Sequence, residues 1–180
     1  MIIGSKIILR EKRLADALND YTWETDPELA QLDAAPIVTT IFCQYLLDYA
    51  SELNNPLPIR CQFALDTLEG KHIGNCSYYN INETKSEAEL GIMIGNRDYW
   101  NKGYGTAAVS TLVNHVFQTT NLNRIYLKTL NSNVRAQKCF EKHGFTPYEQ
   151  ADKDGFSFVF MEIHRNQWRE RKALQTTFAK

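Results

Sequence analysis

The stretch from Ala88 to Phe117 constrains the fold more than any other part of the chain. Ala88 to Ile94 (AELGIMI) is an apolar run with β-branched residues, which is the pattern of a buried strand. It gives way to Gly95-Asn96, a polar and aromatic segment, and then Lys102-Gly103-Tyr104-Gly105-Thr106. Val109, Leu112, Val113, Val116 and Phe117 then recur at the spacing of one helical face. A strand therefore feeds a glycine loop at a helix N-terminus. Such a loop serves a tight turn, or it serves an anion: Gly103 and Gly105 leave the first-turn amides uncovered, and the helix dipole favours negative charge there. Lys102 adds a positive charge. The third glycine of a dinucleotide fingerprint and the Gly-Lys-Ser/Thr of a P-loop are both missing.

A second stretch, Asn131 to Phe145 (NSNVRAQKCFEKHGF), joins the first. Together they resemble the GNAT superfamily of acyl-CoA N-acyltransferases, and within it the branch of the ribosomal-protein alanine acetyltransferases. The loop of that branch typically reads Trp-Gly-Lys-Gly-Tyr-Ala/Gly-Thr, and here it is Trp100-Asn101-Lys102-Gly103-Tyr104-Gly105-Thr106. In layout the resemblance runs from Lys6 to Ile163, while its specific residues lie between Ala88 and Phe145. It implies a mixed, mostly antiparallel α/β (α+β) sheet with helices on both faces. The strand carrying Glu89 would splay from the strand Arg124 to Leu130, leaving a wedge for the pantetheine arm of acetyl-CoA.

The resemblance also implies roles. Ile92, Met93 and Ile94, the loop from Trp100 to Thr106, Asn133 and Phe140 would contact the cofactor. The backbone amide of Met93 would meet the developing oxyanion. An alkylammonium, with a pKa of about 10.4, must lose a proton before it attacks a thioester, so a base is needed. Glu89 stands where many members place one, with Glu87 in reserve. The family pattern Asn-x-x-Ala-x-x-x-Tyr-Glu-Lys-x-Gly-Phe falls on Asn133, Ala136, Phe140, Glu141, Lys142, Gly144 and Phe145. Phe140 thus occupies the tyrosine position and cannot donate a proton to the departing thiolate; Tyr104, Tyr126 or water are the alternatives. Asn133 also serves as a helix cap. Cys139 lacks a His-Asp pattern and reads as a buried thiol rather than an acyl carrier.

At 180 residues, 43% hydrophobic and 12% aromatic, the chain has the size and core of one domain. A net charge of −1 argues against a general nucleic-acid binder. The four cysteines are widely spaced and form no C-x-x-C pair, and the four histidines show no ligand spacing, so no metal is expected. No apolar run approaches membrane-spanning length, and Lys6 and Arg10 interrupt the apolar start. The expected setting is therefore cytoplasmic, without a membrane partner.

The remaining elements follow from patterning. A strand is expected over Lys6 to Arg10, a helix over Arg13 to Trp23, a second after Asp26-Pro27, and a third from Thr39 or Thr40 to Leu53. Strands Ile59–Leu65, His72–Ile81 and Ala88–Ile94 read as a meander. Arg124 to Leu130 reads as a strand and Val134 to His143 as a helix. A hairpin turn at Lys153-Asp154-Gly155 leads into a strand ending at Ile163. A charged helix spans 166–180, a candidate for packing on its own core or on a second subunit.

Between Leu14 and Ile59 lie eight acids (Asp16, Asp20, Glu24, Asp26, Glu28, Asp33, Asp48, Glu52) and no Lys or Arg. From Gly95 onward the bases outnumber the acids. In the fold that the resemblance implies, this split suits a cationic amine entering one side and anionic CoA the other, with Trp23, Tyr45 and Tyr49 available for cation–π contact. A solvated acidic helix face accounts for the same pattern. The expected activity is acetyl transfer to a small cationic amine or a protein N-terminus in a ternary complex. A catalytically silent acyl-CoA sensor and a plain interaction module are the rival readings.

Overall fold

A computed structural model describes residues 1–178, with side chains to 174. Ala179 and Lys180, the end of the expected C-terminal helix, lie outside the described residues. The elements in order are β1 (Ile2–Ile3), β2 (Ile7–Arg10), α1 (Ala17–Glu24), α2 (Pro27–Asp33), α3 (Phe42–Asn54), β3 (Arg60–Thr67), β4 (His72–Asn82), β5 (Glu87–Met93), α4 (Tyr104–Thr119), β6 (Arg124–Leu130), α5 (Val134–Glu141), β7 (Thr146–Lys153), β8 (Phe156–His164) and α6 (Arg165–Phe178). Short 3-10 turns precede α1 at Leu14–Asp16 and α4 at Arg97–Tyr99.

Local chemistry sets several boundaries. Asp26 accepts hydrogen bonds from the Glu28 and Leu29 amides, and Pro27 occupies the first turn of α2, where its missing N–H costs nothing. Asn133 caps α5 by accepting from the Ala136 amide at 3.2 Å. Glu69-Gly70 turns β3 into β4, with Gly70 at φ 84°.

The eight strands form one sheet in the order β1-β2-β3-β4-β5-β6-β8-β7. Every neighbouring pair is antiparallel except β5 and β6, which are parallel. That one pairing is short: Glu87 pairs with Arg124, Ala88 with Ile125 and Glu89 with Tyr126, and then it stops. Both strands continue, β5 to Met93 and β6 to Leu130, so their C-terminal halves diverge as expected.

Side chains alternate across the sheet. Leu9, Leu65, Cys76, Leu90, Ile125, Leu127 and Met161 join α4 residues Val109, Leu112, Val113 and Val116 in the main core. On the opposite face, Arg10 and Asn75 meet α1 through Asp16 and Asp20. Helices thus cover both faces. The structure adds two strands that patterning leaves undrawn. β1 is two residues long, and β7 is an edge strand exposed along almost its whole length, so it lacks apolar alternation. The first helix is shorter than the Arg13–Trp23 reading, because Leu14–Asp16 forms a 3-10 turn.

Under α1 lies a buried ionic network. The Arg10 guanidinium donates to Asp16 at 2.8 and 2.7 Å and to Asp66 at 2.6 and 3.0 Å. Asp16 and Asp66 are only 4% and 6% exposed. Burial opposes ionisation of Asp16, but hydrogen bonds from Arg10 and the Arg13 amide outweigh it and hold the carboxyl below its usual range. Its folded pKa being depressed, this stabilisation is complete above the unfolded value near 4 and disappears as pH falls through the folded one. Removing one partner of a buried pair strands the other, at a cost of about 3–5 kcal/mol. Arg10→Met should therefore lower the urea midpoint by that equivalent at pH 7, and the difference from wild type should shrink on acidification below about pH 4.

Candidate active site

The divergence of β5 from β6 opens a cavity of about 610 Å³. Leu90 to Ile94 form one wall, Lys128 to Leu130 the other, the loop Tyr99–Thr106 one end, and α2 and α5 the sides. Of the residues expected at a cofactor site, Ile92, Met93, Ile94, Trp100, Asn101, Gly103, Tyr104, Gly105, Thr106, Asn133 and Phe140 all line it. Lys102 is not among them; its carbonyl accepts from the Lys6 ammonium at 3.1 Å.

The loop explains its own sequence. Asn101 has φ 58° and Gly103 φ 84°, so both stand in the left-handed region. Asparagine is among the side chains that visit this region most readily, which accounts for its replacing the family's glycine at position 101. The first helical bond of α4 runs from the Ala107 amide to the Gly103 carbonyl at 2.9 Å, and no side chain caps the helix. The amides of Tyr104, Gly105 and Thr106 consequently have no helical acceptor. A Cβ on Gly105 would come no nearer than 3.9 Å to Cys139 Sγ and Ile94 Cγ1, so no protein atom requires a glycine there.

Trp100 pins the loop. Its indole N–H donates to the Ile94 carbonyl at 2.6 Å, and the Arg135 guanidinium lies 3.9 Å from its ring centroid. Arg135 and Lys138 of α5, and Lys142 just after it, also line the cavity. The composition of these walls fits a diphosphate: amides without a helical acceptor, three cationic side chains and a missing Cβ all border the same cavity. The spacing of Arg135, Lys138 and Lys142 was readable as one helical stripe, although sequence reasoning did not single it out.

The expected base candidates lie elsewhere. Glu89 is 7% exposed and accepts from Asn80 at 3.0 Å, and it is not a lining residue. Tyr79, which does line the cavity, stands beside it; burial, then the Glu89 charge, push the Tyr79 phenol well above its ordinary value. Glu87 is ion-paired with Arg124 at 2.6 Å. Phe140 is buried edge-to-face against Phe145. Burial also raises the Cys139 thiol, keeping it a neutral lining group.

The aromatic residues expected at the acceptor side sit in the α1–α3 layer and do not line this cavity. Trp23 packs on His72 at 4.9 Å and over Gly95, Tyr45 lies against Tyr21 at 5.1 Å, and Tyr49 donates to Asp20 at 2.8 Å. Leu29, Leu32, Asp33 and Ala34 of α2 and the residue after it provide that wall. Asp33 is exposed at the cavity, and the protein packed around it pushes its carboxyl up to about 6, against the opposing charge of Lys128. Among the described residues no cluster of metal-ligating side chains occurs, and no helix is long and apolar enough to cross a membrane.

Comparison with known proteins matches residues 6–146 to the acetyltransferase (GNAT) domain, and the chain belongs to this family. It is accordingly an acyl-CoA-dependent acetyltransferase. Among its relatives, the uncharacterized N-acetyltransferase p20 of Bacillus licheniformis is 27% identical over 154 residues, covering 81% of this chain and 85% of its own. YdaF of Bacillus subtilis (strain 168), described provisionally as a ribosomal N-acetyltransferase, is 25% identical over 58% of this chain and 60% of its own. The fold superposes on spermidine N-acetyltransferase of Vibrio cholerae, solved with CoA and spermine, with TM-score 0.80 at 18% identity, covering 91% and 98% of the two chains. Aminoglycoside acetyltransferase AAC(6')-Ib, solved with coenzyme A and kanamycin, gives TM-score 0.75 at 21% identity over 92% and 99%.

The left-handed loop makes a specific prediction. Asn101→Gly should leave the melting temperature close to wild type, whereas Asn101→Val should cost about 1–2 kcal/mol, the penalty for forcing an ordinary side chain into this region. Thermal melts of the two variants decide it.

Proposed function

We propose that this protein acetylates a primary amine on a cationic acceptor, by direct attack on acetyl-CoA in a ternary complex. The observation that carries the reading is that one cavity in the β5–β6 wedge is lined both by the start of α4, whose first three amides have no helical acceptor, and by Arg135, Lys138 and Lys142. In our reading these groups hold the diphosphate of acetyl-CoA, and Lys102 raises the local positive potential. Acetyl-CoA supplies the activated acyl group as a thioester.

The chain's own residues supply the rest. Beyond Glu89 the edge of β5 that faced β6 has no strand partner, so alternate main-chain groups there are free to engage the pantetheine arm. Ile92, Met93 and Ile94 line the cavity beyond that pairing, and a main-chain amide of this segment, with Met93 the sequence-based choice, is our candidate donor to the oxygen that gains charge; a fixed backbone dipole needs no reorganisation. Asn133, at the head of α5, borders the same arm. Phe140 and Leu130 exclude water from the cavity but move no proton.

Two features support a cationic acceptor. The α2 wall carries an acid and no base, and structural neighbours have been solved with spermine and kanamycin, both of which bear amines. A protein N-terminus is the other acceptor compatible with the wedge, and the kinship to YdaF supports including it.

The test is a panel of spermidine, kanamycin and an alanine-terminated peptide incubated with acetyl-CoA, with release of the free CoA thiol as the readout. One or more should be acetylated, while neutral or acidic amino compounds should react poorly. A protein that gains no thermal stability from CoA would refute the reading. Gly105→Ala should weaken CoA binding by about ten-fold or more, which is about 1.4 kcal/mol. Its own melting temperature should change little, because the nearest protein atoms are 3.9 Å from a Cβ there.

A further inference from the structure

The attack requires that an ammonium lose a proton inside the wedge, so the acceptor of that proton must reach the cavity. Glu87 is held by Arg124, and Glu89 is held by Asn80 behind Tyr79. Asp33 is the one carboxylate among the lining residues. It is the last residue of α2, which packs against β6 where that strand leaves β5. Its carboxylate makes no hydrogen bond or ion pair among the described residues, whereas Asp16, Asp20, Asp26 and Glu28, from the same acidic stretch, are all paired.

We infer that Asp33 receives the acceptor's ammonium group and takes its proton as the nitrogen attacks. In becoming an amide the ammonium gives up two protons: one passes to the Asp33 carboxylate, the freed lone pair forms the bond to the acyl carbon as the carbon–sulfur bond breaks, and the second nitrogen proton passes to the departing sulfur, directly or through water, so that CoA leaves as the thiol. The Asp33 proton then leaves to water at the open side of the cavity. This inference rests on the acetyl-transfer reading above.

The surroundings suit the role. Asp33 is exposed to water at the cavity mouth while protein crowds around it, and this crowding raises its carboxyl above its ordinary value. That brings transfer from an alkylammonium nearer to balance than an ordinary aspartate would. The same surroundings lower the pKa of an entering ammonium, closing the gap from the other side. A base that titrates just below neutrality is also ionised when needed. The groups acting with it are Lys128 of β6, whose charge opposes the rise, and Tyr79 of β4, with Glu89 beyond; no ionisable group of α1 contributes to its shift.

The experiment compares wild type, Asp33→Asn, Asp33→Glu and Glu89→Gln, using spermidine, kanamycin and the alanine-terminated peptide. For an acetylated amine, the wild-type kcat/KM should rise about ten-fold per pH unit up to an inflection near 6. Asp33→Asn should lose that inflection and about a hundred-fold in kcat/KM at pH 7, with the thermal shift given by CoA preserved. Asp33→Glu, which keeps the carboxylate, should keep the inflection even where misplacement lowers the rate. If Asp33→Asn retains the wild-type rate and inflection, or if Glu89→Gln removes the inflection instead, Asp33 is not the proton acceptor. A wild-type protein that neither binds CoA nor acetylates any of these amines overturns this inference together with acetyl transfer. Active wild type with unaffected Asp33→Asn overturns this inference alone.

Discussion

The whole arrangement depends on where one parallel strand pairing ends. β5 and β6 share hydrogen bonds only through the Glu87–Arg124, Ala88–Ile125 and Glu89–Tyr126 pairs. Had the ladder continued to Met93 and Leu130, there would be no cavity and no unsatisfied main chain for a ligand to meet. Outer partners keep the diverging halves ordered: β4 pairs with β5 as far as Met93, and β8 pairs with β6 as far as Leu130. Each strand is thus secured on one edge and vacant on the other. A sheet pays for such vacancy unless something fills it, because main-chain donors and acceptors removed from water need partners.

The phosphate end obeys the same logic on a smaller scale. Two left-handed residues, Asn101 and Gly103, turn the chain into α4, whose first residues line the wedge. This part was legible in the sequence because its determinants are local: strand patterning, glycines at fixed positions and an apolar helical stripe. Asn101 looked like a departure from the family loop, and its backbone conformation shows it to be a conservative one. The strand β6 was legible for the same reason.

What stayed illegible depends on register and on distant partners. Glu89 could be assigned to β5 from its neighbours in sequence, but its enclosure by Asn80 and Tyr79 follows from how β4 aligns with β5. Trp23, Tyr45 and Tyr49 carry the right chemistry for an amine site, yet they are engaged within the α1–α3 layer. The run of acids without a base was read as a charged wall. In three dimensions Arg10, Lys12 and Arg97, all from outside that run, neutralise much of it. Asp33 carried no local signal, and only folding reveals it as the member of that run that lines the cavity. β7 escaped notice because an exposed edge strand needs no apolar alternation.

Arg97 illustrates a different consequence. It reaches from the loop before α4 to Asp26 at 2.8 Å and Glu28 at 2.7 Å, at the head of α2. These contacts are substantially exposed, so mobile ions screen them, unlike the enclosed Arg10 network. The helix that walls one side of the wedge is therefore fastened partly by an attachment that weakens in concentrated electrolyte. The firmness of that boundary of the cavity is accordingly open to tuning by the surrounding medium.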